Sequence, residues 1–398
     1  MKATFVIPFY GADIGGGAET QCRRLAENLL IRGMDVEVLT TTLRDLQTHW
    51  NHIYYEPGVY NVNGVTVRRF NPRTVDTDVF VPINQKIIRG EPVTPEEELD
   101  FMNNAINSDA MYEFIGDNHR NRLYFFIPYL FGTSLKGSSI VPYKSFLIPC
   151  LHDEGYAKMG VTRKMFDKVN AALFNSRSEM NLALKLYGGM PCSEPVHMGE
   201  GVDIIDGVDG AKFREKYKLG DDPFILYAGR KDATKNVPQL VDYFYRYLKL
   251  EKKSKLKLVL IGPGSVAIPE DAKDSVIDLG FVPLADKRHS YAAATALCQP
   301  SLMESFSLVM MESWLCGRPV MVHSGCEATK EHVTASGGGF IFGSFQEFCE
   351  SLNAITGNPE KASAMGARGR QYVLGNYTWN IICNRFKTFF AACEEALR

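Results

Sequence analysis

Apolar runs of strand length alternate with longer amphipathic runs along the first half of the chain. Residues 3–8 are strand-like, and a glycine-rich loop at residues 11–17 separates them from an amphipathic segment at 18–32. Gly33 closes that segment, which predicts a helix followed by a strand at residues 35–40. Further strands are predicted at residues 123–127, 145–151 and 171–175. This alternation is typical of parallel sheets covered by helices.

Two local signals refine the first half. Asn63-Gly64 lies between two alternating apolar runs, which predicts a β-hairpin over residues 59–70. Residues 72–120 are less regular, but Thr94 followed by Pro95 predicts the capped start of a helix.

The strand–helix alternation starts again after Gly201-Val-Asp203. Strands are predicted at residues 224–228, 256–261, 276–279, 296–300 and 320–323, and residues 367–398 are largely helical. The 398 residues are many for one core, and glycine, proline and aspartate are frequent at 188–210. We therefore predict two α/β domains, residues 1–200 and residues 201–377. Two doubly wound domains would face each other across a cleft at the carboxyl ends of their strands, where such folds bind ligands.

Composition narrows the class of protein. Of the residues, 45% are hydrophobic and 23% are charged, and the net charge of −2 argues against nucleic acid as a partner. No apolar stretch reaches the roughly 18 residues that span a bilayer. The nine cysteines show no C-x-x-C pair, so we interpret them as reduced residues of a cytoplasmic protein.

The segment from Glu304 to Glu312 carries the first candidate chemistry. It follows a predicted strand, and Ser305 and Ser307 lie where the N-cap of an apolar helix belongs. Glu304 is expected in the loop and Glu312 one to two turns into the helix. A buried glutamate is costly unless it is hydrogen-bonded. Either Glu304 is a cap and Glu312 a buried salt-bridge partner, or the two carboxylates bind sugar hydroxyls.

A second candidate site follows the predicted strand at residues 224–228. Arg230 and Lys235 lie in the loop, and Asn236 is the expected N-cap of the next helix. Two cations beside a helix N-terminus, which carries about half a positive charge, are typical of a diphosphate site. A solvated basic loop is the alternative.

Two features of the first half are weaker. Gly11 to Gly17 lack the spacing of a dinucleotide fingerprint, so their glycines indicate either close approach to a ligand or a flexible loop. His152 follows a predicted strand and is either structural or part of a binding site. A metal site formed with Asp153 and Glu154 is disfavoured, because contiguous residues on one loop rarely converge on one ion.

Taken together, these motifs resemble retaining glycosyltransferases of family 4, also called group 1, of the bacterial surface-polysaccharide type. These enzymes have the GT-B fold, with two Rossmann-like domains and a last helix, here residues 378–398, that crosses back to the first domain. The resemblance covers nearly the whole chain and is weakest at residues 72–120. It is carried by Gly15-Gly-Gly-Ala-Glu19, His152, Asn175-Ser176, Gly201-Val-Asp203, Gly229-Arg230, Lys235-Asn236, Gly262, Gly280-Phe-Val-Pro283, Pro300-Ser301, Glu304 to Glu312 and Gly317-x-Pro-Val320.

The resemblance implies roles for four charged residues. Arg230 and Lys235 would bind the donor diphosphate and neutralise the departing nucleoside diphosphate. Glu312 would bind the ribose hydroxyls, and Glu304 the hydroxyls of the donor sugar.

The resemblance also implies further contacts with the donor. His152 would contact the sugar near the transferred carbon, Gly16 and Gly17 would approach the diphosphate, and Phe281 and Val282 would hold the base. Backbone amides of one segment would bind sugar and phosphate oxygens: Ser305, Phe306, Ser307 and Leu308. Many relatives have glycine where this chain has Ser305 and Ser307, so the serine side chains change the space around the sugar.

The implied reaction transfers a sugar from a UDP- or GDP-linked donor to an acceptor hydroxyl with retention of configuration. We expect a same-face mechanism that needs no metal and no cofactor besides the donor substrate. The acceptor would be a glycan or lipid-linked glycan, which is compatible with peripheral association at the inner face of the membrane. A nucleotide-sugar epimerase of the same fold is the alternative.

Overall fold

The computed structural model describes residues 1–189 and 194–397, and Cys192 lies outside them. The chain divides into two compact units. The first comprises Met1–Gly201 and Trp379–Arg398, and the second comprises Val202–Thr378. The eight described cysteines are free thiols.

Each unit is built on one sheet. The strands of the first sheet are β1 (Lys2–Val6), β2 (Val36–Thr41), β3 (Gly58–Val62), β4 (Val65–Phe70), β5 (Arg122–Phe126), β6 (Ser145–Leu147), β7 (Ala171–Phe174) and β8 (Glu194–His197). The strands of the second sheet are β9 (Phe224–Ala228), β10 (Lys257–Ile261), β11 (Val276–Asp278), β12 (Ala296–Gln299), β13 (Val320–His323) and β14 (Gly339–Phe342).

Helices connect these strands. The first unit begins with α1 (Gly17–Ile31), α2 (Thr77–Ile88), α3 (Pro95–Asn104), α4 (Asp109–Asp117), α5 (Gly132–Leu135), α6 (Gly155–Lys158), α7 (Gly160–Lys168) and α8 (Arg177–Tyr187). The second unit contains α9 (Gly210–Lys216), α10 (Val237–Leu250), α11 (Leu284–Ala293), α12 (Leu308–Leu315), α13 (Glu327–Ser336), α14 (Phe345–Gly357) and α15 (Pro359–Asn376). The last helix is α16 (Trp379–Ala396), and short 3₁₀ turns lie at His119–Asn121, Gly137–Ser139, Pro142–Lys144, Ala233–Lys235 and Glu270–Ala272.

Both sheets are dominated by parallel pairing, which confirms the predicted α/β class. The first sheet has the order β3-β4-β2-β1-β5-β6-β7-β8, and the second has the order β11-β10-β9-β12-β13-β14. The antiparallel pair is β3 with β4, the predicted hairpin, in which Val62 pairs with Val65. Asn63 and Gly64 both have positive φ, as a two-residue hairpin turn requires.

Some predicted boundaries were wrong. The strand predicted at residues 145–151 ends at Leu147, and Cys150 beyond it adopts a positive φ of 53°, outside the range of a strand. The irregular region 72–120 contains three helices. One of them starts at the predicted place, where the Thr94 hydroxyl and the Glu97 carboxylate form a reciprocal capping box.

The last helix packs within the first unit. The ring of Phe386 on α16 lies 4.8 Å from that of Phe125 on β5 and 5.8 Å from that of Phe5 on β1. Gly201 faces Trp379 so closely that a Cβ there would lie 2.2 Å from the indole. Buried aromatic contacts of this kind explain why the terminal helix joins the first unit although it follows the second in sequence.

Candidate functional site

The loop after β9 holds the predicted diphosphate residues. Its shape is stabilised by Asp232, whose Oδ1 accepts hydrogen bonds from the Lys235 amide at 3.0 Å and from the Thr234 hydroxyl. The Tyr227 hydroxyl donates to the carbonyl of Arg230. The Arg230 side chain is 51% exposed and lies 3.6 Å from Asp232 Oδ2. The loop backbone is therefore braced while the guanidinium remains accessible.

Lys231 in the same loop has a different environment. Its side chain is 0% exposed, and its Nζ lies 2.7 Å from Asp278 Oδ1 and donates to the Gly262 carbonyl. A buried lysine needs such partners because an unpaired buried charge is very costly. Lys231 thus joins the carboxyl ends of β9, β10 and β11 and is a structural residue.

Lys235 reaches the loop that follows β12. Its Nζ lies 2.6 Å from Glu304 Oε1, and neither side chain is fully buried. The two residues meet because β9 and β12 are parallel neighbours, so the loops at their carboxyl ends share one edge of the sheet. The structure thus brings together a predicted diphosphate ligand and the predicted sugar ligand.

Gln299, the last residue of β12, also contacts Glu304 and was not recognised from the sequence. Its Nε2 donates to Glu304 Oε1 at 3.2 Å and to Ser307 Oγ at 3.3 Å. The sequence signal that could have identified Gln299 is its position as a polar residue at the end of an otherwise apolar strand.

Two residues predicted as helix N-caps do not cap their helices through their side chains. Ser307 and Asn236 occupy the N-cap positions of α12 and α10, but both have positive φ and neither side chain accepts from its helix. Instead, the Asn236 amide donates to Gln239 Oε1 and to the Pro300 carbonyl. This second bond joins the two loops that carry Lys235 and Glu304.

The segment around Ser305 has mixed exposure. Phe306 is buried, with its ring centroid 5.1 Å from that of His332 and 5.0 Å from that of Tyr377. Its side chain therefore belongs to the core, which leaves its backbone for the role that the resemblance implies. Ser305 and Leu308, the first residue of α12, are partly exposed.

Glu312 lies in the second turn of α12. Its Oε2 accepts a hydrogen bond from the Tyr291 hydroxyl at 2.5 Å and lies 2.8 Å from Lys287 Nζ. Burial, together with the neighbouring Glu312 charge, raises the pKa of Tyr291 well above its usual value, so this phenol stays a donor. Glu312 thus forms the salt bridge that was expected if it served only the structure, but its side chain remains partly exposed.

The predicted base-binding residues follow β11. Gly280 has a φ of 66°, and it precedes Phe281, which is 79% exposed, and the buried Val282. A phenylalanine with so much exposed apolar surface is available to stack on a planar group.

The predicted glycine residues of the first unit open α1. The Arg23 guanidinium donates to the carbonyls of Gly11 and Ile14, both at 2.9 Å, which braces the loop. Gly16 has a φ of 139°, and a Cβ there would lie 2.0 Å from Glu19 Oε2. The positive φ favours glycine at this position even though the Glu19 side chain could move, whereas Gly17 has open space around it.

His152 lies in the loop after β6 and is partly exposed. Its Nδ1 is 3.7 Å from Glu154 Oε1, which accepts a hydrogen bond from the Tyr129 hydroxyl at 2.8 Å. Asp153 pairs instead with Lys158. Among the described residues, His, Cys, Asp and Glu side chains form no group of three or more suited to a metal ion.

Glu179 is a buried carboxylate near His152 that was also missed. Its two oxygens accept hydrogen bonds from the amides of Leu151 and Asn175, each at 2.6 Å. Burial raises the pKa of this carboxyl to about 7, against the effect of these amides and of the His152 charge. The pattern Ser176-x-x-Glu179 is a helix N-terminus signal that would have identified the residue.

Comparison with known proteins matches a family model to the second unit. Residues 209–372 match the family model described as glycosyl transferases group 1. This part of the chain belongs to that family. It contains Arg230, Lys235, Glu304 and Glu312, so the residues that carry the second-unit site all lie inside the match.

Curated relatives extend beyond the family model. A D-inositol 3-phosphate glycosyltransferase of Kribbella flavida is 25% identical over 251 residues, which cover 59% of either chain. A GDP-mannose-dependent phosphatidylinositol monomannoside mannosyltransferase of Mycolicibacterium smegmatis is 22% identical, with 62% of this chain and 69% of that one covered. The aligned region thus spans about three fifths of the length of the first of these relatives. Both are named as transferases, and neither name supports the epimerase alternative.

Solved structures show the fold over the whole chain. Sucrose-phosphate synthase of Thermosynechococcus elongatus has a TM-score of 0.72 at 15% identity, with 99% of each chain covered. Anabaena HepE in complex with UDP and glucose has a TM-score of 0.67 at 15% identity, with 98% and 99% covered. The chain therefore has the α/β GT-B fold. Within the described residues, no helix combines the length and the apolar character needed to span a membrane.

Proposed function

We propose that the chain is a retaining glycosyltransferase that moves a sugar from a nucleoside diphosphate sugar to an acceptor hydroxyl. The observation that carries this proposal is the contact between Lys235 and Glu304 at the carboxyl edge of the second sheet. It places a cation suited to a diphosphate directly beside a carboxylate suited to sugar hydroxyls. A nucleotide sugar is the substrate that presents both groups next to each other.

The second unit supplies the donor-binding groups in this proposal. Arg230 and Lys235 bind the diphosphate, and Glu304 binds hydroxyls of the transferred sugar. Glu312, held by Tyr291 and Lys287, binds the ribose. The exposed ring of Phe281 stacks on the base. The roles of His152, Gly16 and Gly17 remain predictions from the resemblance.

The proposed chemistry depends on charge rather than on a protein nucleophile. When the bond between the anomeric carbon and the phosphate oxygen breaks, negative charge grows on the diphosphate, where Arg230 and Lys235 stabilise it. The acceptor oxygen bonds to the anomeric carbon on the face from which the phosphate leaves, which retains the configuration, and the leaving phosphate accepts the proton of the acceptor hydroxyl. Glu304 is held by an ion pair and serves recognition. No metal ion is required for this charge balance.

The acceptor is proposed to be a glycan or a lipid-linked glycan. Two relatives support this class, because one is named for phosphatidylinositol monomannoside and another, an Escherichia coli protein 30% identical over 115 residues, is named O-antigen chain mannosyltransferase B. With such an acceptor, the protein would work in the cytoplasm, in contact with the membrane surface.

The test is a panel of UDP- and GDP-linked sugars offered to the wild type, Lys235→Met and Lys249→Met. Lys249 is an exposed lysine of the same unit that pairs with Asp271 away from the proposed site. We expect donor turnover to fall by about 100-fold in Lys235→Met, because a charged contact to the leaving group is lost. Lys249→Met should match the wild type.

Two outcomes would contradict the proposal. If Lys235→Met turned over donor at the wild-type rate, the diphosphate assignment would be wrong. If the wild type isomerised a nucleotide sugar without any acceptor, the protein would be an epimerase.

A further inference from the structure

Gln299 combines burial with contacts to two residues of the proposed donor site. It is 4% exposed, and its Nε2 donates to both Glu304 Oε1 and Ser307 Oγ. It stands on the last position of β12, a strand paired on both sides. The amide is therefore a rigid donor, anchored by the sheet, that faces the loop carrying Glu304.

The orientation of this amide is determined by its acceptors. Reversing it would place its carbonyl oxygen against the Glu304 carboxylate, which would be repulsive. In the present orientation, Gln299 Oε1 is buried without a hydrogen-bond partner among the described residues. An unpaired buried carbonyl lowers stability, so the amide is expected at this position for its effect on Glu304 rather than for folding.

Two donors of different character share one oxygen of Glu304. Lys235 Nζ and Gln299 Nε2 both contact Oε1, at 2.6 Å and 3.2 Å. Lys235 has a long, rotatable stem and is 24% exposed. Within residues 1–189 and 194–397, the side-chain hydrogen bonds of Glu304 use Oε1, which leaves Oε2 for a ligand hydroxyl.

We propose that Gln299 is a positioning residue that keeps Glu304 oriented toward the donor sugar when the diphosphate draws Lys235 away. This inference rests on the proposed function. In the free protein, the charged lysine is the stronger partner of Glu304. Once Lys235 turns to the diphosphate, the buried amide remains and holds Oε1, so Oε2 stays presented to the sugar.

The test compares binding of a nucleotide sugar with binding of its nucleoside diphosphate. The variants are Gln299→Met, which keeps the shape but removes the donor, and Gln346→Met. Gln346 is an exposed glutamine of the same unit that donates to Glu350, so it is a matched control. UDP-glucose with UDP and GDP-mannose with GDP are titrated calorimetrically, and the thermal midpoint of each variant is recorded.

We expect Gln299→Met to lose about tenfold in affinity for the nucleotide sugar but less than twofold for the nucleoside diphosphate. The variant loses its hydrogen bond to the charged Glu304, which contacts the sugar and not the diphosphate. The thermal midpoint should change little, because the two hydrogen bonds lost by Glu304 and Ser307 are offset by removal of the unpaired buried carbonyl. A merely structural glutamine would lower the midpoint without separating the two affinities. Gln346→Met should match the wild type in both titrations.

Equal weakening toward sugar and diphosphate, or no weakening, would overturn the positioning role while leaving the proposed function standing. If the wild type bound none of the four probes, both the proposed function and this inference would fall.

Discussion

Two glutamates, one in each unit, lie near the carboxyl edge of a parallel sheet but have opposite kinds of partners. Glu179 in the first unit is buried, and its two oxygens accept from two backbone amides. Glu304 in the second unit is partly exposed, and its partners are the side chains of Lys235 and Gln299. Backbone partners cannot leave, whereas side chains can rotate toward a ligand. The partners of a carboxylate therefore indicate whether it serves the fold or the site.

The largest effect is expected from Glu304→Gln. The change removes the ion pair with Lys235 and a charged acceptor for sugar hydroxyls, so kcat/KM for transfer should fall by about 100- to 1,000-fold. The free energy of unfolding should change little, because glutamine has the shape of glutamate and keeps a side-chain oxygen that can accept from Lys235. Steady-state kinetics and urea unfolding of the same sample measure the two effects. If Glu304→Gln kept the wild-type kcat/KM, or unfolded at a much lower urea concentration than the wild type, the distinction between the two glutamates would be wrong.

Glu179→Ala should have the opposite effect to Glu304→Gln and mainly lower the free energy of unfolding. Two buried amides, those of Leu151 and Asn175, would lose their acceptors, and each such loss costs about 1–3 kcal/mol. The free energy of unfolding should therefore fall by roughly 2–6 kcal/mol. Ser344, whose hydroxyl caps the exposed N-terminus of α14, offers a control, since Ser344→Ala removes a cap without unpairing buried groups. If Glu179→Ala lowered stability no more than Ser344→Ala, the structural role would be refuted.

A smaller effect concerns pH. The pKa of Glu179 is raised by burial to about 7 in the folded protein, from an ordinary value of 4.5. A raised pKa in the folded state means that this group favours folding below pH 4.5 and that this contribution is lost as pH rises through 7. One pKa unit corresponds to about 1.4 kcal/mol, so the loss is a few kcal/mol at most.

Glu179→Gln cannot titrate, so its stability should fall less than that of the wild type between pH 5 and 7.5. Unfolding curves across this range check the difference. They should be repeated with His152→Asn in both proteins, because the His152 charge acts on Glu179. Parallel pH profiles for wild type and Glu179→Gln would show that Glu179 stays ionised when folded.

The predicted site residues differ in how much the sequence revealed about them. Glu304, Glu312, Arg230 and Lys235 were named from local context, and all lie in loops or helices that follow strands, as predicted. Their partners were not foreseen. Lys235 and Glu304 are 69 positions apart, and nothing local in either segment indicates that they meet. Their contact depends on β12 pairing with β9 rather than with β11, its predecessor in the chain.

The capping bonds predicted for Ser307 and Asn236 show the same limit of local sequence patterns. Ser307 and Asn236 have side chains suited to N-caps, and both occupy N-cap positions. Both residues have positive φ, and their side chains bond elsewhere: Ser307 Oγ accepts from Gln299 Nε2, and the Asn236 amide donates to Gln239 Oε1 and the Pro300 carbonyl. The local sequence predicted that each residue would occupy an N-cap position, but it did not predict which group the side chain would bond.

The amino-acid sequence by itself determined the α/β class, the hairpin at Asn63-Gly64, most strand and helix positions and the candidate residues, because these depend on local periodicity and backbone preference. The tertiary structure decided which strand ends are neighbours, and with them the pairing of Lys235 with Glu304, the donation by Gln299 and the enclosure of Glu179. The physical reason is range: hydrophobic periodicity acts over one or two turns, whereas these contacts join segments whose proximity exists only after the sheets have formed.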